Sequence, residues 1–179
     1  MLNEREILDK DAIKITIERL CHQLIENHND FNNTVIIGVQ PRGTYLSNRI
    51  LSKLGEIVPA SKIQSGNIDI SFYRDDLMRR GEPIIPAEMD MNLSVEKKNV
   101  ILIDDVLFTG RSIRSAIDAL MTFGRPKSVE LLALIDRRFS RHLPIQPNYF
   151  GRQINAMQSE KVIVEWKENT GSDRVLMRE

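Results

Sequence analysis

The chain is poor in the features that mark secreted, membrane-spanning or metal-templated proteins. Its 179 residues include one cysteine, Cys21, so no internal disulfide can form and no Cys-x-x-Cys pair offers a zinc site. That points to a reducing, cytoplasmic setting. No apolar run approaches the ~18 residues that a membrane helix needs, and the opening Met1-Leu2-Asn3-Glu4-Arg5-Glu6 lacks the apolar stretch of a secretory leader. Neither secretion nor a membrane span is therefore expected. Charge of one sign is not in excess either: 25 Lys+Arg face 25 Asp+Glu. Attraction to nucleic acid must then come from local basic surface. His22, His28 and His142 form no obvious metal set, and there is no low-complexity linker, internal repeat, Walker A sequence or Gly-x-Gly-x-x-Gly.

What remains is 41% apolar and 28% charged, the mixture of a globular core with a solvated surface. One domain over residues 1–179 is expected. Asp9 is placed to cap a helix whose Ile13, Ile17, Leu20 and Leu24 share a face. Cys21 falls in that apolar pattern and reads as a buried structural thiol, not a nucleophile. The Asn-rich stretch 27–33 ends the helix, and Thr34–Val39 follows as a buried strand. Gly43 opens a second helix bearing Leu46, Ile50, Leu51 and Leu54, with Gly55 as its natural stop. Asn67–Phe72 alternates as a half-wet strand would.

Residues 73–98 hold many charges and the breakers Gly81, Pro83 and Pro86, without a sustained period. A segment of that length inside a compact domain suggests a functional loop. Val100–Ile103 is a further buried strand, then a helix with Ile113, Ala116, Ile117 and Leu120 inward, then strands at Val129–Ile135 and, as the last, Val162–Trp166. Strands alternating with helices call for an α/β fold with a central, mostly parallel sheet flanked by helices.

The informative segment is Asp104-Asp105-Val106-Leu107-Phe108-Thr109-Gly110-Arg111-Ser112. A buried parallel strand delivers two carboxylates at its C-terminal end, where open α/β sheets bind ligands. Gly110 permits a tight turn that aims successive N–H groups inward. Those donors, the Thr109 and Ser112 hydroxyls and the positive helix terminus suit one phosphate. The carboxylates suit vicinal hydroxyls, so a ribose 5-phosphate satisfies both halves. A bare Thr-Gly-x-Ser occurs in many ordinary strand-to-helix turns; the whole ordered string is far more specific.

That string resembles the signature by which type I phosphoribosyltransferases bind 5-phosphoribosyl-1-pyrophosphate (PRPP). The resemblance continues through Ile7-Leu8-Asp9, Gly38–Gly43, Ile68–Asp76, Ser115–Leu120, Gly124–Pro126, Leu143–Ile145 and Ser159–Val162, in the order found in the PyrR family. That family comprises pyrimidine-operon regulators that also have uracil phosphoribosyltransferase activity. The resemblance implies uracil plus PRPP going to UMP plus diphosphate, with Mg²⁺ as cofactor. It implies that Asp104 and Asp105 hold the ribose hydroxyls and touch the ion directly or through water. Thr109 to Ser112 would hold the 5-phosphate within a substrate-binding run that also takes in Val106, Leu107 and Phe108. Arg42 and Gly43 would hold the diphosphate, and Asp136 and Arg137 the uracil, largely through backbone groups. Gly43 would let the diphosphate approach the backbone.

A flexible hood is implied after Phe72, with Tyr73, Arg74, Asp75 and Asp76 its most family-like residues, Arg74 on the diphosphate and Arg79 and Arg80 as weaker candidates. Partners implied are PRPP, uracil, UMP, the leader mRNA of a pyrimidine operon and further copies of the chain in a homodimer or higher homo-oligomer. For RNA, the first helix contributes Arg19 and His22, and the segment after the uracil strand contributes Arg138 and Arg141. Two departures bear on RNA and base. Glu18 and Asn27 stand where threonine and arginine are expected. Arg138-Phe-Ser-Arg-His142 replaces a Gly-His-Arg-Glu run and is one residue longer.

Two other readings share the phosphate site. One is a purine phosphoribosyltransferase, with Phe139 as a stacking wall. The other is a largely non-catalytic attenuator that senses nucleotides and binds RNA.

Overall fold

The computed structural model describes residues 4–59, 61–74, 93–157 and 159–179. The chain opens with strand β1 (Glu4–Leu8) and helix α1 (Lys10–His28). Asp9 caps α1 by accepting from the Ala12 N–H at 2.8 Å, and Ile13, Ile17, Leu20, Cys21 and Leu24 are its buried face. Burial pushes the Cys21 thiol up to about 12, so it stays protonated and packs as a small apolar group.

Strand β2 (Thr34–Val39) is buried along its whole length. Helix α2 (Gly43–Ile57) runs past Gly55 and ends where Val58 N–H donates to Leu54 O at 2.8 Å. Gly55 does not take the left-handed conformation by which a glycine stops a helix. Strand β3 (Gln64–Ile68) begins and ends earlier than the alternation at 67–72 suggests. The Asp69 carboxylate takes the Ser71 N–H at 2.8 Å and its hydroxyl at 2.6 Å, which turns 71–73 into a 3₁₀ segment.

Strand β4 (Asn99–Leu107) extends well past its apolar run and carries Asp104 and Asp105 inside the ladder. Helix α3 (Arg111–Leu120), strand β5 (Ser128–Arg137) and strand β6 (Tyr149–Ile154) follow. The strand at 161–165 (β7, Lys161–Glu165) is not the last. Trp166 leads into a short helix, α4 (Lys167–Thr170), and strand β8 (Arg174–Arg178) closes the chain.

Five strands form a parallel sheet in the order β3-β2-β4-β5-β6, and β1-β8-β7 form a separate antiparallel sheet. The period of two splits the parallel sheet's side chains between its faces. Ile36, Ile101, Ile103 and Leu132 pack with α1, α2 and the C-terminal strands, while Val35, Ile37, Val100 and Leu102 pack with α3. From β2 the chain goes to β3 on one side, and β4 lies on the other. The crevice between the C-terminal ends of β2 and β4 is thus the topological switch point, where such sheets take ligands.

Candidate functional site

Both loops leaving the switch point carry residues singled out in the sequence. At the end of β4, Asp104 and Asp105 are 9% and 5% exposed. The Asp105 N–H donates to the Asp104 carboxylate at 2.9 Å, whereas Asp105 Oδ2 is buried without a hydrogen-bond partner among the described residues. Burial pushes Asp104 well above the ordinary carboxylate range, and the neighbouring Asp105 charge adds to it; the Arg42 guanidinium pulls in the opposite direction. Burial raises Asp105 to about 6, again opposed by Arg42. An unpaired buried acceptor of this kind is costly to keep and suits a ligand hydroxyl or cation.

Beyond the strand, Gly110 adopts the left-handed conformation with φ +89°, and no side chain caps α3. Apart from the Arg111 N–H, which donates to Thr109 Oγ1 at 3.4 Å, the backbone donors at the start of this ten-residue helix suit an anion. They face a cavity of about 560 Å³ lined by the run Val106–Ile113, together with Asp104, Ser115, His142 and Arg74.

The structure therefore gathers Asp104, Val106, Leu107, Phe108, Thr109, Gly110, Arg111, Ser112 and Arg74 around one space. Arg42 and Gly43 sit at the facing end of β2. Here the reason for glycine differs from the expected one. A Cβ on Gly43 would lie 2.2 Å from Ile103 O and 3.1 Å from Asp104 Cα. The residue is small because β4 lies against it, which brings the Arg42 turn onto the carboxylate pair.

Asp136 and Arg137 do not line that cavity. Asp136 faces a second hollow of about 590 Å³, with its carboxylate bound to Arg141 and to Gln153 Nε2 at 2.8 Å. Arg137 is 4% exposed, lies 3.9 Å over the Phe108 ring and donates to Met157 O at 2.8 Å. Burial lowers its pKa, and Glu160 opposes that fall. Phe139, considered as a stacking wall, is 71% exposed and lines neither hollow.

The four RNA candidates separate. His22, Arg138 and Arg19 are exposed. Arg19 donates to the carbonyls of Phe150 and Gly151 at 3.2 and 2.6 Å, holding α1 on β6. Arg141 is turned inward, against expectation, because Asp136 and the carbonyls of Leu107 and Phe108 bind its guanidinium. The expected hood residues Asp75, Asp76, Arg79 and Arg80 lie outside the described residues. Sequence reasoning missed Ser115, His142 and Gln153 around these spaces. Ser115 carried a signal, standing one helical turn after Arg111 in a family-like stretch. No helix among the described residues is long and apolar enough to cross a membrane.

Comparison with known proteins accords with this geometry. Residues 3–169 match the phosphoribosyl transferase domain family. The "Bifunctional protein PyrR" of Halalkalibacterium halodurans is 39% identical over 178 residues, covering 98% of this chain and 97% of that one. The protein of the same name from Bacillus subtilis is 39% identical over 176 residues, covering 97% and 96%. Among solved structures, a hypoxanthine phosphoribosyltransferase of Trypanosoma cruzi superposes with a TM-score of 0.74 at 17% identity, covering 98% of this chain and 91% of that one. One from Staphylococcus aureus gives 0.71 at 20% identity, covering 96% and 90%. These likenesses establish the type I phosphoribosyltransferase fold. With its full-length similarity to these bifunctional PyrR proteins, the chain belongs to the PyrR family of phosphoribosyltransferase-domain proteins.

Proposed function

We propose that this protein transfers the 5-phosphoribosyl group of PRPP to uracil, giving UMP and diphosphate. The observation that carries the reading is the pairing of two buried carboxylates with an uncapped helix start one turn further on. In this reading Gly110, Thr109 and Ser112 cradle the 5-phosphate, and Asp104 and Asp105 accept from the ribose 2- and 3-hydroxyls. Arg42 and Arg74 approach the diphosphate from opposite loops. The reaction exchanges one bond at the anomeric carbon: the bond to diphosphate breaks as the bond to a uracil ring nitrogen forms, and the ring nitrogen loses its proton. Positive charge grows on the ribose and negative charge on the leaving group. Fixed arginines and carboxylates serve that redistribution without a protein nucleophile.

The carboxylate pair also fits Mg²⁺. It offers hard oxygen donors, one of them unsatisfied, and no described cluster of three or more His, Cys, Asp or Glu could enclose the ion alone. Asp104 and Asp105 would hold it directly or through water, with the diphosphate supplying further oxygens. When bound, the ion would neutralise charge on the leaving group.

For the base, the loop leaving β5 beside the Arg137–Phe108 stack would offer main-chain groups to a small ring with two carbonyls. The exposure of Phe139 removes the wall on which a purine reading drew. Steady-state turnover of uracil, hypoxanthine and guanine with PRPP tests the assignment. Uracil is expected to be preferred by at least tenfold in kcat/KM. Preference for a purine, or no turnover of any base, overturns it.

The reading extends to assembly and regulation: a homodimer or larger homo-oligomer, with a UMP-responsive RNA-binding role in pyrimidine-gene regulation that is weakened or tuned to a different RNA. Support comes from the family. Light scattering showing a monomer at micromolar concentration would count against the assembly.

A further inference from the structure

We propose that Arg141 is a positioning residue for the phosphate loop, acting from behind it through the loop's carbonyl groups. The inference rests on the proposed phosphate site. A turn that aims N–H groups at an anion must aim carbonyls the other way, and those carbonyls need donors. Here the donors come from one short segment. Arg141 Nη1 donates to Leu107 O at 3.2 Å and to Phe108 O. The next two backbone N–H groups, of His142 and Leu143, donate to Thr109 O at 3.0 and 3.3 Å. Three consecutive carbonyls of the loop are thus held by three consecutive residues of the strap that joins β5 to β6.

The strap is itself anchored. Arg141 Nη2 pairs with the carboxylate of Asp136, which is 3% exposed and receives a second hydrogen bond from Gln153 Nε2 on β6 at 2.8 Å. A relay therefore runs from β6 through Gln153 and Asp136 to Arg141 and on to the loop carbonyls. The rigid fork of a guanidinium can serve a carboxylate and two carbonyls at once, whereas an ammonium is a single point charge on a flexible stem. A cationic donor on a carbonyl also polarises its peptide, so the following N–H groups, those of Phe108 and Thr109, become better donors to an anion. Arg141 does not itself line the cavity; it reaches the lining residues Leu107 and Phe108 only through their carbonyls. Its effect falls on phosphate affinity.

The test is direct binding of ribose 5-phosphate and of UMP by calorimetry, alongside steady-state kinetics, for the full chain and for Arg141→Gln, Arg141→Lys and Gln153→Leu. Expected are a tenfold or greater loss of ribose 5-phosphate affinity for Arg141→Gln and a matching rise in KM for PRPP. The KM for uracil should stay within about twofold. Arg141→Lys should recover only part of the loss, and Gln153→Leu should show a smaller loss in the same direction with thermal stability retained. If Arg141→Gln does not fold, the Lys and Gln153 variants decide the matter. Unchanged ribose 5-phosphate affinity in folded variants overturns the inference, as does a loss confined to RNA binding. Failure of the unmodified protein to bind ribose 5-phosphate at all would instead sink the proposed site itself.

Discussion

Adjacent carboxylates buried at a strand end are expensive to ionise, and Asp104 and Asp105 show it: burial raises both, with the charge of one opposing the ionisation of the other. A ligand that brings hydroxyls or a cation relieves the cost, so the pair should be indispensable to catalysis yet unhelpful to the empty fold. Asp104→Asn or Asp105→Asn is expected to lower kcat/KM for PRPP at least tenfold, since losing a charged acceptor costs about 1.5–3 kcal/mol. A variant of either with unmodified kcat/KM would remove the assigned role.

Stability should move the other way. The folded protein keeps Asp105 protonated up to about pH 6, whereas the unfolded chain releases that proton near 3.8. The contribution to stability is present below the unfolded value and is lost as pH rises through about 6. Asn does not titrate, so Asp105→Asn is expected to melt higher than the unmodified protein at pH 8. The difference should be on the order of 1–3 kcal/mol and should close as pH falls to 4. Melting curves of the ligand-free proteins across that range check it; a constant or reversed difference would show that Asp105 is not strained by burial.

At the scale of elements, two glycines of α2 make opposite demands. Gly43 has the β4 backbone against it, with Ile103 O 2.2 Å from where a Cβ would stand, while the corresponding position at Gly55 is open. Gly43→Ala should therefore force β4 and its carboxylates away, costing roughly 1–3 kcal/mol by overpacking and most of the activity. Gly55→Ala, in a helix interior, should gain roughly 0.5–1 kcal/mol and leave activity alone. Thermal melts and turnover of the two variants give the comparison, and equal effects would be incompatible with the packing described.

The contrast also explains what was legible in the sequence. Uniform β-branched runs such as Thr34–Val39 reveal buried strands because both faces are covered, and β2 lies where expected. Strands β1, β6 and β8 were not foreseen, because Glu4–Leu8, Tyr149–Ile154 and Arg174–Arg178 mix charged and apolar residues at sheet edges or in the small second sheet. Asn67–Phe72 alternates, yet the Ser71 N–H and hydroxyl donate locally to the Asp69 carboxylate and end the strand early. For the site, the phosphate turn is contiguous in sequence and so could be read whole. The relay of Gln153, Asp136 and Arg141 joins residues brought together by sheet pairing, with Asp136 opposite Gln153 in the β5–β6 ladder, and no local pattern announces it.

At the scale of the whole molecule, the balance of charge decides how it would meet RNA. Residues 125–152 hold six Lys/Arg against two Asp/Glu, which by sequence alone would make a cationic surface. The fold engages half of those cations: Arg137 is buried on Phe108, Arg141 binds Asp136 and the phosphate loop, and the exposed Arg152 donates to Ile7 O at 2.6 Å. The other expected contributor, residues 1–31, holds four Lys/Arg against seven Asp/Glu, and its Arg19 is taken up by the β6 carbonyls. Protein–RNA affinity rests heavily on cations that neutralise phosphates, and its salt dependence counts them. Sequence-specific readout further needs side chains that fit unpaired bases. We therefore expect transferase chemistry to be intact while binding to the leader transcript of its own operon is weak, or is tuned to a different RNA. In a filter-binding titration at physiological salt, with and without UMP, half-saturation should lie above micromolar. The slope of log affinity against log salt should be shallow, corresponding to roughly three phosphates or fewer. Sub-micromolar, sequence-dependent binding enhanced by UMP would show that Glu18 and the inward turn of Arg141 leave the RNA surface undiminished, and that recognition there rests on shape and base contacts more than on charge.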